Sequence, residues 1–311
     1  MTNKIHTPVL LEQTIRTLNI NPDGIYVDAT AGFGGHCQAI LDKLSNKGKL
    51  ICIDQDKTAI KHLQHKFASK VNVKVFHNNF INIQNVFSKN NINKVNGILA
   101  DLGVSSLMLD DPKRGFSYHE DGMLDMRMNQ EQELDAYQVV NNYSLKQLTD
   151  IFRKYGEAKE AYNVALEIIN TRSTKPIKTT LELVDVIKSA VSKKTIFKHK
   201  HPARIYFQAI RIEVNNELHV LETFIKEATK FLNVNGILAI ITFHSLEDRI
   251  VKNAFNKLTT SSLPKEIPIQ NDPNVKFELV NKKPITATVD EIKANKRSHS
   301  AKLRAIRRIK Q

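Results

Sequence analysis

Cysteine is scarce: the 311 residues include two, Cys37 and Cys52. Their number and spacing supply neither a metal-ligand set nor a disulfide framework. Both fall within apolar strand-like or helix-like stretches, which predicts buried, reduced thiols and a cytosolic setting. Long apolar runs are missing too. The longest, residues 237–241, is far too short to span a bilayer. The opening Met1-Thr2-Asn3-Lys4-Ile5-His6 has no apolar core of a signal peptide. The expectation is a soluble, cytoplasmic protein. No internal repeat or low-complexity segment interrupts the chain. Acidic residues are in deficit, 32 Asp and Glu against 46 Lys and Arg, for a net charge of +14. Such a surplus marks an anionic partner, nucleic acid ahead of a membrane surface, unless it is only solvated surface lysine. The length suffices for one large domain or two.

A dinucleotide signature is also incomplete. Counted from Gly32, the pattern G-x-G-x-x-G needs a third glycine where Cys37 stands. What is present is Val27-Asp28-Ala29-Thr30-Ala31-Gly32-Phe33-Gly34-Gly35-His36, which reads as strand, glycine-rich turn and helix. Glycines let the backbone approach a ligand without an intervening Cβ. The helix start offers unpaired N–H groups to an anionic group. Asp54 closes the next apolar run, Leu50-Ile51-Cys52-Ile53, where a ribose-binding carboxylate falls. The arrangement D-x-T-x-G-x-G-G suits S-adenosylmethionine, whose amino and carboxylate groups need partners and which has no pyrophosphate to cradle.

Strand-like runs at 24–28, 50–54, 73–76, 97–101 and 236–243 alternate with helical patterns. They predict a parallel α/β sheet covered on both faces. Between 101 and 236 this rhythm stops. Ser144-Leu145-Lys146-Gln147 and Thr179-Thr180-Leu181-Glu182 both read as capping boxes ahead of amphipathic helices. Residues 108–216 are therefore read as a helical insertion, leaving 1–107 and 217–311 as one discontinuous α/β domain. Residues 188–212 carry Lys193, Lys194, Lys198, Lys200, Arg204 and Arg211 with no acidic residue. Phe197, Tyr206 and Phe207 are interleaved there, a combination that suits phosphates and unstacked bases as well as it suits a solvated helix face over core aromatics. His199 and His201 have no cysteine or carboxylate at ligand spacing, so no metal site is expected. Ser245, with Asp248 three positions on, predicts a helix start after the last long strand. Residues 275–280 read as a further strand, and Ala301-Lys302-Leu303-Arg304-Ala305 as a basic edge strand.

Longer strings then occur in order. They are His6-Thr7-Pro8-Val9-Leu10-Leu11, Asp101-Leu102-Gly103-Val104-Ser105-Ser106, Arg114-Gly115-Phe116-Ser117 and Asp121-Gly122-Met123-Leu124-Asp125-Met126-Arg127-Met128. Phe207-Gln208-Ala209-Ile210-Arg211-Ile212 and Phe243-His244-Ser245-Leu246-Glu247-Asp248-Arg249 follow. With these strings the sequence closely resembles the ribosomal RNA small subunit methyltransferase H family, also called MraW. The resemblance implies a class I, Rossmann-like, S-adenosylmethionine-dependent methyltransferase fold with an inserted all-helical domain. It also implies N4-methylation of a cytosine of 16S rRNA at the decoding site of the small (30S) ribosomal subunit. Cofactor contacts are implied at Gly34, Gly35, His36, Asp54, Phe80 and Asp101. Asp54 would receive the ribose hydroxyls, Phe80 would pack on adenine, and Asp101 would face the cofactor or the incoming base. Two positions depart from the family pattern. Met108 stands where a glutamine contacts the cofactor, keeping bulk but not the amide's donor and acceptor. Ile205 stands where a basic residue is usual, with Arg204 beside it.

The exocyclic amine of cytosine is a poor nucleophile because its lone pair is delocalised into the ring. Holding it in line with the methyl–sulfur bond is therefore the main task, and such positioning supplies roughly 7–11 kcal/mol. The Asn/Asp-Pro-Pro-aromatic motif of many amino-methyltransferases does not follow Asp101. Asp101, with the Ser105-Ser106 loop, is expected to orient the amine and accept its proton; Asp125 is the rival. Lys198, Lys200, Arg204 and Arg211, joined by the tail residues Lys296, Arg297, Lys302 and Arg304, are expected to grip the RNA backbone around an unstacked base. Other readings stay open: another RNA or DNA amino-methyltransferase, or an RNA-binding assembly factor with a decayed pocket. A nicotinamide-linked dehydrogenase is disfavoured by Cys37.

Overall fold

Strands built as unbroken apolar runs need cover on both faces, and the sheet supplies it. The computed structural model describes residues 8–198, 201–261 and 272–311, without the side chains of 106–107 and 196–198. In it β1 (Ile25–Asp28), β2 (Lys49–Asp54), β3 (Val73–His77), β4 (Val95–Asp101) and β5 (Leu232–Thr242) run parallel in the order β3-β2-β1-β4-β5. Beyond β5 lies β8 (Lys302–Arg308), antiparallel to it, followed by β6 (Phe277–Leu279); the short β7 (Ile285–Thr286) also pairs with β8. This is the class I methyltransferase arrangement that the resemblance implies.

Period-two alternation sorts the strand residues into two cores. Tyr26, Leu50, Cys52, Leu99, Ile237, Ala239 and Ile241 pack with α1 (Leu11–Leu18), α2 (Gly35–Leu41) and α3 (Lys57–Lys66). Val27, Ile51, Ile53, Ile98, Ala100, Leu238 and Ile240 pack with α4 (Ile83–Lys89), α12 (Glu217–Ala228) and α13 (Ser245–Thr259). A short helix, α14 (Val289–Ala294), precedes β8. These elements belong to one compact unit, residues 1–103 with 218–311.

Residues 104–217 form a second compact unit. It comprises α5 (Ser106–Asp110), α6 (Ala136–Asn142), α7 (Leu145–Lys154), α8 (Ala161–Thr174), α9 (Thr180–Ala190), α10 (Lys193–Lys198) and α11 (Arg204–Asn215). Both expected capping boxes are present, Ser144 with Gln147 at α7 and Thr179 with Glu182 at α9. No described helix is long and apolar enough to cross a membrane.

Three local expectations are corrected. The tail strand is not an edge: β8 lies between β5 and β6, and Leu303, Ala305 and Ile306 are buried in the cores. Basic alternation on one face looks like solvation, yet an acidic residue of α13 meets that face, as described below. The cap of α13 is His244 rather than Ser245. Its Nδ1 accepts the N–H of Glu247, and Glu247 accepts the N–H groups of Phe243 and His244. Finally, Tyr206 and Phe207 are 1% and 3% exposed and belong to the core of the second unit, so neither is available to stack on a base. The side chain of Phe197, and His199 altogether, lie outside the described residues.

Candidate active site

In an open parallel sheet, ligands bind beyond the carboxyl ends of the strands where the strand order reverses. Here that point lies between β1 and β4. The turn leaving β1 stays tied to both neighbours: Ala29 N–H donates to Leu99 O at 2.8 Å and Ala31 N–H to Ile53 O at 2.9 Å. Gly32 (φ +50°) and Gly34 (φ +72°) then adopt left-handed backbone. A Cβ on Gly34 would stand 2.8 Å from Leu63 Cδ2, and one on Gly35 2.3 Å from Pro8 Cγ. A Cβ on Gly32 would meet nothing closer than 4.0 Å, so the backbone there borders open space. Lys66 Nζ holds the turn from behind, donating to Gly34 O at 2.8 Å and Phe33 O at 3.2 Å. Gly34→Ala is expected to cost about 1–2 kcal/mol from the left-handed backbone alone. A lowered denaturation midpoint with an unchanged m-value, together with weaker S-adenosylmethionine binding, checks this.

Three aspartates surround the turn. Asp54, half-buried at the end of β2, accepts Gly32 N–H through Oδ2 at 2.7 Å and Asp56 N–H through Oδ1 at 2.8 Å. Burial pushes its carboxyl up to about 6, against those hydrogen bonds. Asp28, at the end of β1, is 1% exposed and turned inward. Its Oδ1 accepts Thr30 N–H and its Oδ2 accepts the Cys37 thiol at 3.2 Å, while Cys52 donates onward to Cys37 at 3.3 Å. Burial also pushes Asp28 up to about 6. Asp28 is therefore a latch beneath the turn, not a group directed at a ligand.

Asp101 ends β4, and its N–H donates to Thr30 Oγ1 at 2.6 Å. Its Oδ2 lies 3.6 Å from His36 Nδ1, and its Oδ1 is buried with no hydrogen-bond partner among the described residues. Burial first, and then the charges of Asp28 and Glu247, push this carboxyl well above the aspartate range. His36, 5% exposed, sits 3.1 Å through Nε2 from Val9 O. A carbonyl only accepts, so Nε2 carries a proton and Nδ1 of a neutral ring is a lone pair facing Asp101.

Phe80 opens a 3-10 turn just after β3, half-buried, with its ring centroid 4.9 Å from that of Phe224 at 82°. Met108 is buried in the core of the helical unit, with Phe116, Leu124 and Met126 in the same cluster. Asp125, the rival proton acceptor, spends both oxygens on Arg127: Nε donates to Oδ1 at 3.0 Å and Nη2 to Oδ2 at 2.8 Å.

The expected RNA-gripping residues divide. Arg204 is exposed at the start of α11, and Lys193, Lys194 and Lys296 are exposed as well. Lys200 and the side chain of Lys198 lie outside the described residues. Arg211 is engaged within its own unit, with Nε and Nη2 on the two oxygens of Glu217 at 2.8 and 3.0 Å. A charge count that stops at residue 212 misses this acid beyond the helix end. Arg304 and Lys302 both bind Asp248 of α13, at 2.7 and 3.0 Å. Burial disfavours the Asp248 charge, but their hydrogen bonds outweigh it and hold the carboxyl below the ordinary range. Arg211 and Arg304 are therefore structural ion pairs rather than open phosphate contacts.

Some groups had no sequence signal. Thr30 as a partner of Asp101, and Val9 as the group that sets the His36 tautomer, depend on strand register and chain return. In the helical unit Tyr118 stacks on His201 (4.6 Å, 25°) and lies 4.5 Å from His119, with residues more than eighty positions apart. His119 is exposed and the other two half-buried. Burial, and then the charges of His119 and Lys188, lower the pKa of His201, which favours a neutral ring stacked on Tyr118.

The turn region thus combines open backbone at Gly32, a carboxylate at a strand end, a half-buried aromatic ring and an unpartnered buried carboxylate oxygen. That donor set fits a ligand carrying an ammonium group, vicinal hydroxyls and a flat ring. A family model described as the MraW methylase family matches residues 3–309. A protein of Ureaplasma urealyticum named ribosomal RNA small subunit methyltransferase H is 53% identical over 301 residues, 97% of either chain. Proteins of the same name from Fusobacterium nucleatum (51% over 312 residues, 99% of this chain and 98% of that one) and Clostridioides difficile (49% over 307 residues, 98% and 99%) are similar throughout.

Proposed function

The chain belongs to the MraW methylase family, and from that premise we propose that it methylates N4 of a cytosine in the 16S rRNA of the small ribosomal subunit, in the cytoplasm. The observation that carries the reading is Asp101: a half-buried carboxylate whose buried Oδ1 has no hydrogen-bond partner among the described residues, at the carboxyl end of β4 beside the glycine turn. When bound, S-adenosylmethionine supplies an electrophilic methyl group on a sulfonium sulfur. Gly32, Gly34, Gly35 and Asp54 would hold it, Asp54 through the lone pairs that its backbone N–H donors leave free. Phe80, anchored edge-on by Phe224, would offer its ring to the adenine.

The residues of the chain do the rest. Asp101 orients the amine by accepting one of its N–H bonds, so that the nitrogen lone pair is directed at the methyl carbon. Asp101 Oδ1 would take up the proton that the amine must lose when it receives the methyl group. His36 Nδ1 lies 3.6 Å from the other oxygen, Oδ2, on the side of the carboxyl away from the amine. Asp125 is the poorer candidate for this role, with both oxygens bonded to Arg127. The +14 charge supplies long-range attraction for RNA, with Arg204 and the Tyr118–His201 face as local contacts in the helical unit. Arg204→Glu is expected to weaken RNA binding and reduce its salt dependence, as filter binding across a salt series would show.

The test is methyl transfer to isolated small subunits, followed by nucleoside analysis of the rRNA. N4-methylcytidine that appears with the protein and not with Asp101→Asn supports the reading. A methyl group on another atom, or none despite bound cofactor, overturns it.

A further inference from the structure

The methyl-transfer site occupies the carboxyl edge of the parallel strands; a second concentration of charge occupies the amino edge. There Lys94 precedes β4, Lys230 precedes β5, Lys276 precedes β6, and the antiparallel β8 delivers Arg308 to the same place. An open depression of about 290 Å³ is lined by Thr229, Lys230, Lys276, Phe277 and Arg308.

The cations differ in what holds them. Lys230 is neutralised locally, its Nζ 2.8 Å from both oxygens of Glu227. Arg308 is braced: Nε donates to Lys310 O at 2.8 Å, Nη1 to Thr229 O at 3.1 Å, and the guanidinium carbon lies 5.6 Å from the Phe277 ring centroid. Among the described residues those bonds leave the Nη2 side of a rigid fork unspent. Lys276 is exposed and makes no ion pair among the described residues. Lys94 spends one N–H on Lys230 O at 2.7 Å. Its pKa is lowered by burial and then by the charges of Arg308 and Lys276, so these groups feel one another. Like charges gathered around a depression raise each other's energy, and an anion seated among them removes that cost. A braced guanidinium flanked by lysines matches a phosphate, whose oxygens take a bidentate fork and point charges together. Phe277 is 6% exposed and covered by the guanidinium, so the site offers no base-stacking surface. A shallow, open shape suits a phosphate carried on a polymer that continues past it.

We propose that this depression seats a backbone phosphate of the rRNA substrate, a second point of attachment at the opposite edge of the sheet from the methyl-transfer site. The proposal rests on the rRNA reading above and adds to it where the RNA runs.

The test uses the full-length chain. Lys276→Ala, Lys94→Ala and the double variant are compared with wild type for binding to small ribosomal subunits over a salt series. The slope of log affinity against log salt is expected to fall by about one for each cation removed. Lys276→Glu weakens binding further, and calorimetry with S-adenosylmethionine gives the wild-type affinity for every variant. Wild type that binds subunits, with variants of unchanged affinity and slope, overturns the contact while leaving the rRNA reading intact. Variants that bind subunits normally but lose binding of inorganic phosphate overturn it in favour of a small phosphoanion site. Wild type with no affinity for subunits or their rRNA overturns the substrate reading, and this contact with it.

Discussion

Asp101→Asn lowers methyl-transfer turnover by a factor of about 10²–10⁴, the range lost with a positioned general base, while S-adenosylmethionine still binds. Asparagine has the same shape and retains a carbonyl oxygen for a hydrogen bond, but it cannot take up a proton. The wild-type carboxyl is set for that task by its surroundings. Its Oδ1 is buried without a partner, its Oδ2 faces His36, and burial with the charges of Asp28 and Glu247 makes it hold a proton more readily than an ordinary aspartate. The sign of the pH dependence follows. A base must be unprotonated to act, so turnover rises with pH through the raised pKa of Asp101, and the acid limb lies above the usual aspartate range. In Asp101→Asn the small residual rate loses that limb. Single-turnover rates across pH, with cofactor affinity measured separately, distinguish loss of the base from loss of the cofactor. Normal turnover in the variant would show that the proton leaves by another route.

Asp28→Asn stabilises the fold at neutral pH by up to about 3 kcal/mol, the equivalent of a carboxyl pKa raised from 3.8 to about 6. The folded protein holds the Asp28 proton more tightly than the unfolded chain does. The stabilising contribution is therefore complete below pH 3.8 and is lost as pH rises through about 6. An amide does not titrate, so the variant's advantage shrinks in mildly acidic buffer and is full above neutrality. Denaturant midpoints for both proteins at about pH 5 and about pH 8 measure it. A variant no more stable than wild type at the higher pH would mean that the Thr30 N–H and Cys37 thiol bonds outweigh burial. The same burial raises Asp54, so the glycine turn rests on two carboxylates that are costly to ionise in the folded state. That cost accompanies a rigid turn, a common exchange of stability for a preorganised site.

Much of this was readable without coordinates because it rests on local rules. Unbroken apolar runs such as Leu50-Ile51-Cys52-Ile53 fit strands covered on both faces, and they form such strands, with alternate residues in two cores. The capping boxes at Ser144 and Thr179 are contacts within four residues and formed as read. The glycine turn with Asp54 behind it was legible for the same reason: strand-turn-helix chemistry is set by neighbours in the chain, and the long motifs led to the family.

Partnership between distant residues was not legible. Lys302 and Arg304 looked like an RNA-gripping basic edge strand until β8 proved to lie inside the sheet, with both bonded to Asp248. Tyr206 and Phe207 suited base stacking and core packing equally, and α11 turns them into the core. The Tyr118–His201 stack and the Arg308 depression join residues that no spacing rule connects. By itself the sequence determined a buried parallel sheet, a nucleoside-cofactor turn and a helical insertion, because each depends on periodicity or on adjacent backbone. Only the tertiary structure decided which charges are spent on one another and which remain for RNA, because ion pairing depends on distance in space and on burial. Neither is a property of a residue's place in the chain.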